Sequence, residues 1–344
     1  MEMPPSPTAL PPVRVVAVVP HWNRRDLLAT LLDSLTLQTR HFDEVIVVDN
    51  GSSDDSVRFA QEKGARVVAL DRNRGFAAAV NRGISAALEA PQPPMWIAIL
   101  NNDVTLAPNW LAELLVAATE TQSSDAAFIT GKILSATNPA LLDGTFDLLS
   151  RGACAARCGA GLPDTPPWNQ PRVISFASMT AVLFRASVFR SLGTLDEIFG
   201  SYMEDVEFGL RCALAGCHGS YVPTAVAYHQ GSATFGQWSS QSVFRISRNQ
   251  LLLAAKHFAQ QPRLPLIVGQ GLWGLLALRH GCGRAFLRGK LAGWRDRRHL
   301  VRPDKTDNAA LRALLKKSEE EILKLGRDTH LDQYWRAYFW LSPR

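Results

Sequence analysis

The chain has 344 residues, 47% hydrophobic and 20% charged, which excludes a disordered or collagen-like chain and fits one large domain or two modest ones. Lys and Arg number 37 against 31 Asp and Glu, a net charge of +6. That mild excess leaves room for anionic ligands or an anionic lipid surface and does not call for nucleic acid. Five cysteines, an odd number without Cys-x-x-Cys spacing, imply free thiols in a reducing compartment. Residues 1–12 hold five prolines and read as a disordered lead-in, not a signal peptide. No apolar run reaches the roughly 18 residues of a membrane span.

Residues 13–19 are valine-rich, a buried strand that Pro20-His21-Trp22-Asn23 breaks. Leu27, Leu28, Leu31, Leu32 and Leu35 mark a helix over 25–39. A strand at 44–48 ends in the turn-rich Asp49-Asn50-Gly51-Ser52-Ser53-Asp54-Asp55, where Ser53 or Asp54 is placed to cap the next helix. A third strand at 66–70 exits through Asp71-Arg72-Asn73-Arg74-Gly75, and an alanine-rich helix covers 77–88. The apolar run 95–100 then stops at Asn101-Asn102-Asp103. An unpaired carboxylate is costly to bury, so Asp103 belongs where the strand leaves the sheet. A helix over 109–119 follows.

Strand and helix alternating at short spacing imply a parallel sheet with right-handed crossovers. Four strands then end in loops bearing Asn23, Asp49, Asn73 and Asp103 at one edge. That edge is where open α/β sheets bind ligands. A carboxylate there can hold a divalent cation, and the cation a diphosphate. The chain has neither a Gly-Lys-Ser/Thr P-loop nor a Gly-x-Gly-x-x-Gly after its first strand, which counts against those two phosphate-binding designs.

A strand is expected at 125–134, long loops with a hairpin facing substrate at 137–171, and a strand at 172–185. A helix from about Glu204 puts Val206, Leu210 and Leu214 on its buried face, with Glu204 and Asp205 in the first turn and Gly216 ending it. A strand at 220–228 reaches His229. Beyond 242 lie a helix to 258, an apolar segment at 264–278 and a run of arginines interleaved with Trp273, Phe286 and Trp294. That pattern suits a helix in a bilayer interface; the alternative is a helical hairpin packed on the body, its basic face in water. A charged helix at 309–325 and an aromatic tail at 334–340 complete the chain, the tail suited to the body, a partner subunit or lipid.

Six ordered stretches resemble the family 2 inverting glycosyltransferases. They are Val18-Val19-Pro20-His21-Trp22-Asn23, Val47-Val48-Asp49-Asn50-Gly51-Ser52-Ser53-Asp54, the run from Asn73 to Gly83, Leu100-Asn101-Asn102-Asp103, Met203-Glu204-Asp205-Val206-Glu207-Phe208 and Tyr228-His229. They cover about residues 13–260. The Asn-Asn-Asp form and Tyr228-His229-Gln230-Gly231-Ser232-Ala233-Thr234 look most like bacterial rhamnosyltransferase-type members that build surface polysaccharides.

The resemblance implies the GT-A fold: a Rossmann-like, mostly parallel α/β sheet flanked by helices, here with a C-terminal helical extension. It divides the chain into the lead-in 1–12, a catalytic domain 13–240 whose nucleotide half is about 13–120 and acceptor half about 121–240, and a helical region 241–344. Asp103 and His229 become ligands of Mg²⁺ or Mn²⁺. The family's first acid is replaced by Asn101, which leaves one carboxylate. Asp205 becomes the base, with Glu204 beside it. Adjacent carboxylates raise one another's pKa and a helix N-terminus lowers it. Asp49 reads the nucleobase or ribose, or else caps its turn. Pro20, Asn23, Asn73, Gly75 and Asn102 shape the rest of the nucleotide pocket, Gly75 by allowing close approach. Arg74 and Arg82 reach phosphate or stay on the helix surface.

The expected activity is transfer of a sugar, with rhamnose as the subgroup's indication, from a dTDP- or UDP-sugar to a lipid-linked or glycan acceptor. The expected place is the inner face of the plasma membrane, in peripheral contact with it, oligomeric state left open. The alternatives are a sugar-phosphate nucleotidyltransferase, against which the absence of a glycine-rich basic first loop weighs, and a non-catalytic scaffold of the same fold.

Overall fold

A computed structural model describes residues 13–120, 125–231, 238–302 and 307–343. The lead-in 1–12 and residues 232–234 of the motif after His229 lie outside the described residues. The first half reads β1 (Val15–His21), α1 (Arg25–Thr36), β2 (Glu44–Asp49), α2 (Ser56–Glu62), β3 (Arg66–Ala69), α3 (Phe76–Leu88), β4 (Trp96–Leu100), β5 (Val104–Leu106) and α4 (Trp110–Ala117). Next come β6 (Phe128–Ser135), β7 (Leu142–Gly144), β8 (Asp147–Leu149), β9 (Ala155–Arg157), β10 (Arg172–Ile174), β11 (Ala181–Arg185), α5 (Ala186–Leu192), α6 (Glu204–Leu214) and β12 (Gly219–His229). Among the described residues five α-helices follow: α7 (Ser240–His257), α8 (Arg263–Arg279), α9 (Gly283–Asp296), α10 (Asn308–Asp328) and α11 (Gln333–Leu341).

The main sheet runs β10-β12-β6-β11-β4-β1-β2-β3. β4, β1, β2 and β3 are parallel neighbours, so their C-terminal loops meet at one edge as the alternation predicts. β1 shows why its sequence lacks polar alternation. Val16 and Val18 enter one core with α3, and Val15, Ala17 and Val19 enter the other with α1 and α4. Both faces are covered, and every residue of the strand is buried.

Three boundaries differ from the sequence reading. β1 runs on through Pro20 and His21, because His21 stays in register with Asp49. The strand expected over 172–185 is two strands. β10 pairs with β12, while β11 inserts antiparallel between β4 and β6. The three-residue β5, too short for a periodic signal, pairs with β12 and brings Val104 beside His229. The hairpin expected within 137–171 exists as β8–β9. All five cysteines are free.

The C-terminal helices pack against the β8–β9 hairpin and α6. α9 packs on α7 at Gly289 and Gly293, where an added Cβ would strike the carbonyls of Phe244 and Arg248. α8 rests on the turn between β8 and β9. A Cβ on Gly269 would lie 2.8 Å from Gly152 Cα, so the two backbones touch directly. α10 and α11 close over the hairpin through Glu319, which takes Arg151 Nε at 2.7 Å and Tyr338 Oη–H at 2.7 Å. The aromatic tail therefore packs on the body, with Tyr338 fully buried. No helix among the described residues is long and apolar enough to cross a membrane.

Candidate active site

The converging loops open onto a cavity of about 1180 Å³. Pro20, Asn73, Gly75, Asn102, Asp103, Glu204, Asp205 and His229 all line it. Asn23 and Asp49 do not. Asn23 Oδ1 accepts the Ser53 N–H at 2.9 Å and Asp49 Oδ2 accepts the Ser52 N–H at 3.1 Å, so both brace the loop after β2 from behind. For Asp49 this is the turn-capping role. Arg74 also faces the cavity and pairs with Asp71 at 2.8 Å.

At the ends of β2 and β3, Asn50 does more than its turn setting indicates. It is buried, its amide donates to Asn73 Oδ1 and Gly75 O, and its Oδ1 accepts the Arg74 N–H at 2.8 Å. Gly75 has φ +91, and an added Cβ would lie 3.0 Å from Gly200 O. Its close approach is thus to the loop before α6, which ties the loop after β3 to the start of α6. Burial lowers the His21 pKa, so the ring is neutral and Nδ1 accepts from Asn102 Nδ2 at 3.0 Å. His21 Nε2 is buried without a hydrogen-bond partner.

Asp103 leaves β4 and His229 ends β12, and the sheet brings them together. His229 Nε2 lies 3.2 Å from Asp103 Oδ1, and its Nδ1 lies 2.9 Å from Asp143 Oδ2. Burial alone would lower the His229 pKa; the two carboxylates outweigh it and lift it to about 9. A divalent cation would have to displace the ring's Nε2 proton; the spacing itself fits one, since adjacent ligands of a six-coordinate ion at about 2.1 Å stand about 3 Å apart. Among the described residues no group of three or more His, Cys, Asp or Glu is arranged to hold a metal. The other positions would fall to substrate phosphate and water, as at Mg²⁺–diphosphate sites, while an imidazole ligand favours Mn²⁺. Asp143 was not singled out in the sequence; it orients the ring as a carboxylate behind a histidine ligand does.

The acids of α6 face the same space. Tyr202 and Met203, with φ +70 and +69, turn the chain sharply into the helix. Asn249 of α7 holds that turn, its amide reaching the carbonyls of Phe199 (2.7 Å), Ser201 (3.0 Å) and Tyr202 (2.6 Å). Burial raises the pKa of both acids. The charge of Asp205 adds to the effect at Glu204, and Arg157 opposes it at Asp205. Burial therefore outweighs the helix N-terminus. Glu204 Oε2 is buried without a hydrogen-bond partner.

Two further cavity residues come from the hairpin and escaped the sequence reading. Burial pushes Asp147 up to about 7 against the charge of Arg157. Arg157 is 35% exposed to the cavity; it pairs with Asp143 at 3.1 Å and donates to Ser178 and Thr180. Gln241, Arg245 and Ile246 of α7, Trp273 and Leu276 of α8, and Tyr334 and Trp335 of α11 complete the far wall.

The sequence profile described as Glycosyl transferase family 2 matches residues 16–159, and Glycosyl transferase family group 2 matches 96–243. The chain is 30% identical over 282 residues to the N-acetylglucosaminyl-diphospho-decaprenol L-rhamnosyltransferase of Mycobacterium tuberculosis, which covers 76% of this chain and 90% of that protein. GalNAc-T7 with UDP, GalNAc and Mn²⁺ superposes with a TM-score of 0.59 at 14% identity, over 84% of this chain and 58% of that one. A mannosyltransferase from Pyrobaculum calidifontis, in complex with GDP-Man and Mn²⁺, gives 0.52 at 15% identity, over 95% and 86%. These two share the GT-A-type fold.

Proposed function

This chain belongs to glycosyl transferase family 2, and from that premise we propose an inverting, metal-dependent transfer from a nucleotide-diphosphate sugar to a lipid-linked or polysaccharide acceptor in cell-surface glycan synthesis. As a glycosyltransferase it is neither a sugar-phosphate nucleotidyltransferase nor a non-catalytic scaffold. The observation that carries the proposal is that Asp103 with His229, and Asp205 with Glu204, line one cavity.

The donor's diphosphate lies against Asp103 and His229, and its nucleoside against Pro20, Asn73, Gly75 and Asn102. Asn23 and Asp49 shape that pocket from beneath. His21 accepts from the Asn102 amide and leaves the Asn102 carbonyl oxygen for a nucleotide hydroxyl. A divalent cation, Mn²⁺ or Mg²⁺, held by Asp103 and His229 would supply charge neutralisation at the departing diphosphate. Asp205 takes the proton of the acceptor hydroxyl as that oxygen attacks the anomeric carbon from the face opposite the leaving group. Its burial favours the protonated form and so makes it the stronger base. The activity of the mycobacterial relative supports rhamnose as the sugar and a prenyl-diphosphate-linked amino sugar as the acceptor class; the donor we propose is dTDP- or UDP-rhamnose. Such an acceptor supports a working position at the inner face of the plasma membrane as part of this proposal.

Asp205→Asn tests the assignment. Transfer falls by at least about a thousandfold, while donor affinity and melting temperature stay as in the native protein. Transfer at the native rate in that variant removes Asp205 as the base. The anomeric configuration of the product, read by NMR, tests inversion.

A further inference from the structure

The exposed large apolar side chains are not scattered. Among the described residues seven of fifteen fall on α8 and α9. On α8, Leu264, Ile267, Leu275 and Leu278 recur at helical spacing, with Gly271 open between them. On α9, Phe286 and Lys290 face α8, where Phe286 meets Gly274 and Lys290 meets Gln270. Leu287, Leu291 and Trp294 come next around the helix, 66%, 69% and 59% exposed. The two stripes therefore adjoin on the outside of the hairpin. Beyond them lie the exposed Arg284, Arg288 and Arg295. Across residues 263–302 there are nine Lys or Arg and one acid, Asp296, which pairs with Arg248 at 2.9 Å and with Arg295 at 3.1 Å.

Scattered apolar residues are ordinary on a surface, but a contiguous apolar face rimmed by one sign of charge is an interaction surface. The sign selects the occupant. Anionic headgroups match the arginines, and the apolar stripes match the acyl boundary beneath them. A second copy of this chain would set arginine against arginine across a two-fold contact. α8 also has an inner side, where Trp273 and Leu276 line the catalytic cavity. One helix separates the outer face from the acceptor half of the site.

We infer that the outer face of the α8–α9 hairpin docks on an anionic lipid surface and so opens the acceptor side of the cavity at the bilayer boundary. This rests on the reading of a lipid-linked acceptor, because it brings that acceptor's diphosphate end to the depth of Asp205 without a membrane span.

The test uses the full chain and sedimentation with phosphatidylcholine vesicles, with and without phosphatidylglycerol. The native protein pellets with anionic vesicles and at least tenfold less with neutral ones. Leu287→Glu with Leu291→Glu, both solvent-facing, lowers the bound fraction at least tenfold. Arg288→Glu with Arg295→Glu removes the preference for phosphatidylglycerol. Donor hydrolysis and circular dichroism are unchanged in both, which separates lost docking from lost folding. No pelleting of the native protein, equal pelleting of the variants, or a dimer in sedimentation velocity that Leu287→Glu with Leu291→Glu dissociates overturns the inference. The function itself is tested apart, with a short-chain acceptor in the absence of lipid. Failure there with intact vesicle binding sinks the proposed reaction and leaves the docking face standing.

Discussion

At the residue scale, the decisive side chain after Asp103 and Asp205 is Asp143. It shares its carboxylate between His229 and Arg157, and so couples the candidate metal pair to the hairpin. Asp143→Asn keeps the size and a hydrogen-bonding oxygen but loses the charge that fixes the ring. Mn²⁺ affinity falls about 10–100-fold, the usual effect of losing the carboxylate behind a ligating histidine. Calorimetric titration of Mn²⁺, with and without nucleoside diphosphate, measures this without reference to turnover. Unchanged affinity removes Asp143 from the site. Asp143 and Asp147 lay hidden because the stretch around them is rich in Gly, Pro and Ala and has no period to set a face. Asp103, by contrast, stood out because a carboxylate follows a fully apolar strand.

At the element scale, α6 and α7 act as a clamped pair. Glu207, wholly buried, meets Lys256 at 2.8 Å, His257 at 3.0 Å and Arg211 at 3.0 Å. Burial alone would raise its pKa; the His257 hydrogen bond and the charges of Arg211 and Lys256 bring it down to about 2. Because the folded pKa lies below the unfolded one, the stabilisation is complete above about pH 5 and is lost as pH falls toward 2. That shift is worth about 3 kcal/mol. Chemical denaturation from pH 6 down to about pH 3 therefore shows a falling limb that Glu207→Gln flattens, in a variant already less stable at neutral pH. A native slope in the variant assigns the limb to other acids. The sequence offered only helical acidity for Glu207, since nothing local ties it to residues on the next helix but one strand away. Its partner contact, Asn249 on the loop before α6, was equally invisible for that reason.

At the scale of the whole molecule, the C-terminal helices are part of the fold that holds the site. Ile322, Leu325, Trp335 and Tyr338 join the same core as β1 and β2. Glu319, 1% exposed, is the polar key of that contact. Glu319→Ala leaves Arg151 without its buried partner and costs about 3–5 kcal/mol, seen as a lower unfolding midpoint. A midpoint within error of the native one shows that the helices stay seated without it. For the same reason a truncation at about residue 263 strips core residues and is a poor probe of lipid contact, whereas solvent-facing substitutions are a clean one. The first four strands were legible, because each apolar run stops at a polar loop and a parallel sheet aligns those stops, whereas the short β5 between them and α4 was not. The second half was less legible. Antiparallel insertion of β11 depends on which gap in the sheet is open, and the resting place of α11 depends on a groove built by distant residues. Neither leaves a local mark. The touching glycines, Gly152 and Gly269, carry one last consequence. With no side chain between the two backbones there is nothing soft to absorb a displacement. A displacement of the outer helix is passed directly to the turn that leads into β9 and Arg157, so the inferred docking face has a mechanical handle on the cavity that Arg157 lines.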